Sequence, residues 1–262
     1  MGIFSFLMHK KPDILKEMGF VNDQDGIIYR YAREKEGWDI HLNNSKQAIL
    51  EALEIYKPTT TAILGSGWLL DIPLEELSRT CSKIYLYDII HPTQIKHKVS
   101  KYPNIEIIEC DITGGAIQKA WEEVQLWKSE GKSIDLKKIP GNGFKPLHQT
   151  DMIVSLNILN QLDILICDYL LDNTALTEDE ITNLRLDLQQ KHISSLQQQS
   201  FCIISDIEEI TTEIDSKATA VRPLVIAPLP QTLYKKEWEW QFDSSGSYYD
   251  GKRVTFNVVA LF

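Results

Sequence analysis

Three short apolar segments of this chain end in a glycine turn or an acidic residue, at even spacing. The first, Thr60–Leu64, is followed by Gly65, and the next two are followed by Asp88 and Asp111. The steps from Gly65 to Asp88 and from Asp88 to Asp111 are both 23 residues, about one short strand–helix repeat. Because ligands bind outside the carboxyl ends of parallel strands, the turn and both carboxylates are expected at one crevice of nucleoside type.

Strand and helix patterns alternate through most of the chain. Strands are predicted at 60–64, 83–87, 105–110, 152–156 and 201–205, and helices at 45–56, 69–81, 114–131, 158–171 and 178–199. Two further strands, 238–242 and 254–262, flank a turn sequence and are expected to form an antiparallel hairpin. The pattern predicts an α/β fold with a mostly parallel, seven-stranded sheet.

The domain boundary is placed at Ser45, which has the side chain of a helix N-cap and precedes an apolar stripe at helical spacing. Residues 1–44 are then an N-terminal extension that could form a helical lid, and 45–262 form one α/β domain. The polar stretch 132–150 is predicted to be a functional or mobile loop.

Charge and composition narrow the classes of partner. The formal net charge is −10, whereas nucleic-acid binders need clustered Lys and Arg, so no nucleic-acid partner is expected. No segment approaches the ~18 apolar residues of a membrane span, and the apolar start lacks the basic lead and cleavage site of a signal peptide. The four cysteines show no CxxC spacing, so we predict no metal site and favour a reducing compartment. We therefore expect a cytoplasmic protein without membrane contact.

Gly65 and Gly67 allow a ligand to approach the backbone closely after the first strand. The dinucleotide fingerprint GxGxxG needs a third glycine at position 70, where the chain has Leu70, and this counts against a nicotinamide-dependent oxidoreductase. A P-loop sequence does not occur. A tight strand-to-helix turn without any ligand is the open alternative.

Asp88 and Asp111 are suited to bind an adenosine, because an ionised carboxylate accepts hydrogen bonds through both oxygens. Asp88 could accept from two ribose hydroxyls, and Asp111 from the exocyclic amine of a purine. The alternative for each is a helix N-cap or a loop charge. Their common spacing with Gly65 favours binding.

The segments 61–67, 87–88, 110–112 and 155–159 resemble, in this order, the motifs of class I S-adenosylmethionine-dependent methyltransferases. The resemblance implies their three-layer Rossmann-like methyltransferase fold, whose sheet ends in a reversed hairpin. It also implies S-adenosyl-L-methionine as cofactor and a small molecule or a protein side chain as methyl acceptor. The cofactor-binding residues that it implies are Leu64, Gly65, Ser66, Gly67, Asp88, Asp111, Ile112 and Asn157.

Two departures from the family pattern concern the binding of the cofactor. The family has an acid where this chain has Ile63, and a third glycine where it has Leu69. A catalytically inactive methyltransferase-fold binding protein or subunit is therefore the alternative function. The segment 157–160 lacks the form that methylates exocyclic amines of bases, and it is similar to that of small-molecule and protein methyltransferases.

Methyl transfer requires alignment of a nucleophile with the S–CH3 bond and in some cases removal of its proton, so no catalytic triad is expected. Asn157 could orient a substrate, and His41 or His91 could act as a base. For each histidine the alternative is a surface or structural role. Trp238 and Trp240 alternate with polar residues and are predicted to pack in the core rather than to form an aromatic cage.

Overall fold

The helices and strands of the chain alternate as the sequence predicts. The computed structural model describes residues 13–262, so the prediction about the apolar start lies outside the described residues. The helices are α1 (Ile14–Glu17), α2 (Phe20–Arg33), α3 (Lys35–Tyr56), α4 (Leu74–Thr80), α5 (Thr93–Val99), α6 (Ala116–Glu130), α7 (Ile164–Asn173) and α8 (Glu178–Leu196). The strands are β1 (Thr60–Leu64), β2 (Lys83–Asp88), β3 (Ile105–Glu109), β4 (Met152–Leu156), β5 (Ser200–Glu213), β6 (Thr219–Pro223), β7 (Lys235–Asp243) and β8 (Lys252–Leu261).

The strands form one sheet in the order β3-β2-β1-β4-β5-β8-β7. The first five strands of the chain run parallel to one another, whereas β8 pairs antiparallel with both β5 and β7. The mostly parallel sheet and the C-terminal antiparallel hairpin are therefore confirmed.

Within residues 13–262 the sheet has eight strands rather than the predicted seven. Strand β5 continues past Ser205 to Glu213, and its outer half pairs with the extra strand β6. All five residues of β6 are exposed, so no apolar alternation marked it in the sequence.

Helices cover both faces of the sheet, which makes three layers. The side chain of Ile63 packs on one face with residues of α3, α4 and α5, whereas Ala62 and Leu64 pack on the other face with residues of α8. Successive side chains of a strand point to opposite faces, so both sets are buried. A further apolar cluster joins α6, α7 and α8 on the second face.

Helix α3 begins at Lys35, and the prediction that Ser45 caps a helix is wrong. Ser45 is fully buried in the middle of α3. Trp38 and Leu42 extend the buried stripe of the helix toward its start, and the polar pair before Ser45 concealed this in the sequence. The boundary placed between residues 44 and 45 consequently lies within a continuous helix.

Two other helices, α4 and α7, begin more than one turn later than predicted. Helix α4 begins at Leu74, because residues 69–73 form an irregular segment in which Leu69 has a left-handed backbone (φ +55°). Helix α7 begins at Ile164, after turns at 159–163. By contrast, α6 ends at Glu130 with Gly131 as its C-cap, where the glycine was predicted to end it, and 132–150 is irregular apart from one short 3-10 turn.

Candidate functional site

A cavity of about 310 Å³ lies at the carboxyl ends of the parallel strands. This volume is typical of small-molecule sites. Of the predicted cofactor-binding residues, those that line the cavity are Gly65, Ser66, Gly67, Asp88, Asp111, Ile112 and Asn157. Leu64 does not line it, because its side chain is fully buried within the sheet's second face. The three separate segments that the sequence analysis brings together thus share one cavity.

The glycine turn is tied to Asp88 through backbone hydrogen bonds. The N–H of Gly67 donates to Asp88 Oδ2 at 2.7 Å, and the N–H of Ile89 donates to Oδ1 at 2.7 Å. Burial raises the pKa of the Asp88 carboxyl to about 6, against the opposing effect of these N–H donors. Since each carboxylate oxygen has two lone pairs, Asp88 keeps acceptor capacity for a ligand in the cavity.

Position 65 requires glycine for a geometric reason. Its backbone is left-handed (φ +82°), and a Cβ there would lie 2.5 Å from the carbonyl oxygen of Leu156. At Gly67 (φ +27°) a Cβ would lie 3.0 Å from Gln24 Nε2 and 3.5 Å from Asp88 Oδ2. The turn therefore packs against β4, Asp88 and helix α2 at once.

Asp111 organises the loop before α6. Its carboxylate accepts from the backbone N–H of Thr113 at 2.8 Å, from the Thr113 hydroxyl at 2.5 Å and from the N–H of Gly115 at 3.1 Å. This is the loop-charge role that stood as the alternative. A contact between Asp111 and adenine stays a prediction.

His41 lies at the inner wall of the cavity in a crowded aromatic environment. Its ring stacks on Trp240 with centroids 3.9 Å apart, and the indole N–H of Trp238 donates to Nδ1 at 3.2 Å. Burial lowers the pKa of His41 to about 3, so the ring is neutral near pH 7. Its basic nitrogen is already occupied by Trp238, and this geometry favours a structural role over that of a base.

Trp240 is buried in the core, as predicted, and half-buried Trp238 packs against that core. Trp240 also lines the cavity.

His91 does not line the cavity. It is buried behind the glycine turn, where its Nε2 lies 2.7 Å from the hydroxyl oxygen of Ser66. Burial lowers the pKa of His91 to about 4. The geometry therefore favours the structural alternative for His91, which supports the turn from behind.

Asn157 follows β4 with a left-handed backbone (φ +48°), a conformation that asparagine tolerates better than most residues. Its side chain lies 2.7 Å from Asp71 Oδ2 and 3.2 Å from His41 Nε2. Burial raises the pKa of Asp71 to about 6. Asn157 therefore joins the irregular segment 69–73 to helix α3 at the wall of the cavity.

Two polar residues that line the cavity, Asp71 and Asp206 at its inner end, were not predicted from the sequence. Asp206 is buried, accepts a hydrogen bond from Asn160 Nδ2 at 3.3 Å, and has a pKa that burial raises to about 7. The sequence does contain a signal for Asp206, because it directly follows the predicted strand 201–205, just as Asp88 directly follows the predicted strand 83–87. Asp71 has no comparable signal, since it lies in an irregular segment.

Helix α2 covers the cavity between the glycine turn and the C-terminal hairpin. The indole N–H of Trp68 donates to the backbone oxygen of Gln24 at 2.7 Å. One turn and a half further on, the Arg30 guanidinium lies over the rings of Phe242 and Tyr248, 4.9 and 5.0 Å from their centroids. This is where the predicted lid would be, and its opening stays a prediction.

No protein-family model and no curated protein sequence matches the chain. Among solved structures, the N-methyltransferase NodS from Bradyrhizobium japonicum, in complex with S-adenosyl-L-homocysteine, aligns over 82% of this chain and 85% of its own, with 12% identity and a TM-score of 0.36. The 1,6-didemethyltoxoflavin-N1-methyltransferase of Burkholderia thailandensis aligns over 91% and 86%, with 8% identity and a TM-score of 0.35. The YcgJ protein from Bacillus subtilis aligns over 83% and 97%, with 6% identity and a TM-score of 0.39.

The parallel order of β3, β2, β1, β4 and β5, continued by the reversed strands β8 and β7, decides the fold class. The chain has a class I methyltransferase-like fold. Among residues 13–262, none of the helices has the length and apolar character needed to cross a lipid bilayer.

Proposed function

We propose that this protein transfers a methyl group from S-adenosyl-L-methionine to a small molecule or a protein side chain. The observation that carries the proposal is the convergence of Gly65, Gly67 and Asp88 on one cavity at the carboxyl ends of parallel strands. Gly67 leaves open the space that a Cβ would fill between Asp88 and Gln24, and Asp88 keeps free lone pairs. These features fit the ribose and the adjoining part of the cofactor.

The charge of the cavity supports the same proposal. Among residues 13–262, six carboxyl groups line it, from Asp23, Asp71, Asp88, Asp111, Asp206 and Glu209, against two guanidinium groups. Arg222 is paired with Glu209 at 3.2 Å, and Arg30 lies over aromatic rings. A lining with excess negative charge favours a cationic ligand such as a sulfonium compound.

The residues of the chain would divide the work as follows. When bound, S-adenosylmethionine supplies a methyl group on a sulfonium that leaves readily, so the protein has to align the acceptor with the S–CH3 bond. Asp88 would hold the ribose, and the backbone of 65–67 would lie beside the methionine part. Ile112 would pack on the adenine, with Asp111 at its edge. Asn157, at the end of β4, would orient the acceptor.

Calorimetric titration with S-adenosylmethionine and S-adenosylhomocysteine tests the cofactor. We expect both to bind, and Asp88→Ala to weaken binding by about tenfold or more, equivalent to about 1.4 kcal/mol. Asp187→Ala is the matched control, because Asp187 is an exposed aspartate of α8 outside the cavity. Absence of heat from the correctly folded wild-type protein at high micromolar ligand would rule the cofactor out.

A catalytically inactive binding protein or subunit is the second candidate function. It is favoured by the position of Gln24, whose Nε2 lies 3.0 Å from where a Cβ of Gly67 would be, so that α2 closes over the turn. If this closure blocks the site, Gln24→Ala should raise the affinity for S-adenosylhomocysteine, and the wild-type protein should form no methylated product from any acceptor.

A nicotinamide-dependent oxidoreductase is disfavoured by Leu70 and by the reversed hairpin, and thermal-shift comparison of NADH with S-adenosylhomocysteine tests it.

A further inference from the structure

Among residues 13–262, four buried polar atoms of residues that line the cavity have no hydrogen-bond partner: Asn157 Oδ1, Trp240 Nε1, Asp206 Oδ1 and Asn160 Oδ1. The last two lie at the inner end of the cavity, on residues that are 2% and 5% exposed and are hydrogen-bonded to each other. Both residues line the cavity. Buried acceptors are rarely left without a donor in native proteins, because the loss of solvation is not recovered.

The orientation of the Asn160 amide follows from its neighbour. Asn160 Nδ2 lies 3.3 Å from Asp206 Oδ2, and at pH 8, above its pKa of about 7, the Asp206 carboxylate only accepts hydrogen bonds. The amide therefore presents its NH2 group to Asp206, which leaves its carbonyl oxygen free. Two acceptors, one of them charged at pH 8, thus need donors from outside the protein.

No described positive side chain neutralises Asp206. Among residues 13–262, the arginines that line the cavity are Arg222, which pairs with Glu209, and Arg30, which lies over Phe242 and Tyr248. The charge of Asp71 raises the pKa of Asp206 further. A cationic donor would satisfy this end of the cavity better than a neutral one.

Much of the lining of this cavity is aromatic. Buried rings of Trp38, Trp240, Phe242 and Phe256 line the same cavity. Aromatic faces attract cations as well as apolar groups. The chemistry on this side of the cavity therefore suits a cation carried on an apolar body.

We propose that the inner end of the cavity binds a primary ammonium group on an apolar molecule, with Asp206 and Asn160 as its acceptors, and that this group anchors the methyl acceptor. The inference rests on the methyl transfer proposed above and names the class of its substrate. The cofactor also carries an ammonium group, so the experiment has to separate the two sources.

Calorimetric titrations at about pH 8, where an alkylamine is still protonated, test the anchor. The probes are 2-phenylethylamine and hexylamine, each beside its alcohol, 2-phenylethanol and hexanol, with and without saturating S-adenosylhomocysteine. We expect at least one amine to bind about tenfold or more tightly than its alcohol. Asp206→Asn should remove this preference, whereas Asp187→Asn, a matched change on the exposed face of α8, should keep it.

Equal binding of amines and alcohols, binding of neither amine, or an unchanged preference in Asp206→Asn would overturn the inference, because ordered water would then satisfy the acceptors. A second arm compares S-adenosylhomocysteine with 5′-methylthioadenosine, which lacks the amino acid part. If Asp206→Asn weakens only the first, the acceptors hold the cofactor's amino group and the substrate assignment is wrong.

The two proposals fail in different ways. Binding of S-adenosylhomocysteine without amine selectivity would overturn the anchor and leave methyl transfer standing. Amine selectivity in a protein that binds neither cofactor analogue would support the ammonium site but overturn methyl transfer. The site would then have no role as an anchor for a methyl acceptor.

Discussion

The two ends of the cavity hold their carboxylates in different states. At the glycine turn, both oxygens of Asp88 accept a backbone N–H, and the Asp111 carboxylate is bonded to its own loop. At the inner end, Asp206 has a single amide contact and one oxygen without a partner among the described residues. The pKa is raised to about 6 at Asp88 and to about 7 at Asp206, in keeping with the backbone donors that stabilise the charge of Asp88.

The turn end is assembled by the backbone, whereas at the inner end the proposed ammonium group would supply the missing donors. A backbone cradle is present whether or not a ligand is bound, because its donors belong to the strands and the turn. Side-chain acceptors that lack donors lower the stability of the protein until a ligand arrives. Such sites commonly exchange stability for binding.

The largest expected effect on stability comes from a substitution in the glycine turn. Gly65→Ala should lower the free energy of unfolding by about 3 kcal/mol, because it combines a left-handed backbone with a Cβ that overlaps the Leu156 carbonyl. Gly131→Ala is the control, since its φ is also positive (+65°) but nothing lies within 4 Å of the added Cβ. It should cost only about 1 kcal/mol. If urea unfolding gave equal losses of unfolding free energy for Gly65→Ala and Gly131→Ala, the close contact at position 65 would contribute nothing.

The second-largest expected effect is a pH dependence of the free energy of unfolding that distinguishes Asp206 from Asp88. The pKa of Asp206 is raised in the folded state, so the folded protein binds more protons than the unfolded chain, and stability falls as pH rises from about 4 through about 7. Asp206→Asn removes the buried charge and should raise the free energy of unfolding at pH 8 by on the order of 1–3 kcal/mol. The gain should shrink toward pH 4.

Asp88→Asn is the counterpart at the other end. An asparagine oxygen can accept only one of the two N–H groups that now bond to separate oxygens, and its NH2 group would face the other. We expect no gain in stability from this change when urea midpoints are compared at pH 8. A gain as large as that of Asp206→Asn would contradict the distinction between the two ends.

The smallest effect concerns the helix that spans both ends. Trp68→Phe removes the indole N–H that bonds to Gln24, and should cost about 1 kcal/mol. Amide exchange should rise in the half of α2 that lies over the glycine turn. Arg30→Met should instead increase amide exchange in the half of α2 beside the hairpin, and should lower the free energy of unfolding by about 0.5 kcal/mol. Uniform loosening by either variant would show that α2 is held as one unit.

Much of the turn end could be predicted because its signals are local. Apolar runs of about five residues followed by glycine or aspartate identify strand ends, and the 23-residue period orders them along a parallel sheet. The start of α3 could not be predicted from the same rules, because the apolar stripe that begins at Trp38 is interrupted by polar residues before Ser45. Strand β6 is wholly exposed and forms only because β5 extends to pair with it.

By itself the sequence determined the α/β alternation, the C-terminal hairpin and the meeting of Gly65 with Asp88, since each follows from neighbouring residues and from the shared edge of parallel strands. Only the tertiary structure decided which polar groups share the inner end. The contacts of Asn157 with His41 and Asp71 and of Asn160 with Asp206 join residues 116, 86 and 46 positions apart. Whether a buried acceptor has a donor depends on that packing, and no local pattern encodes it.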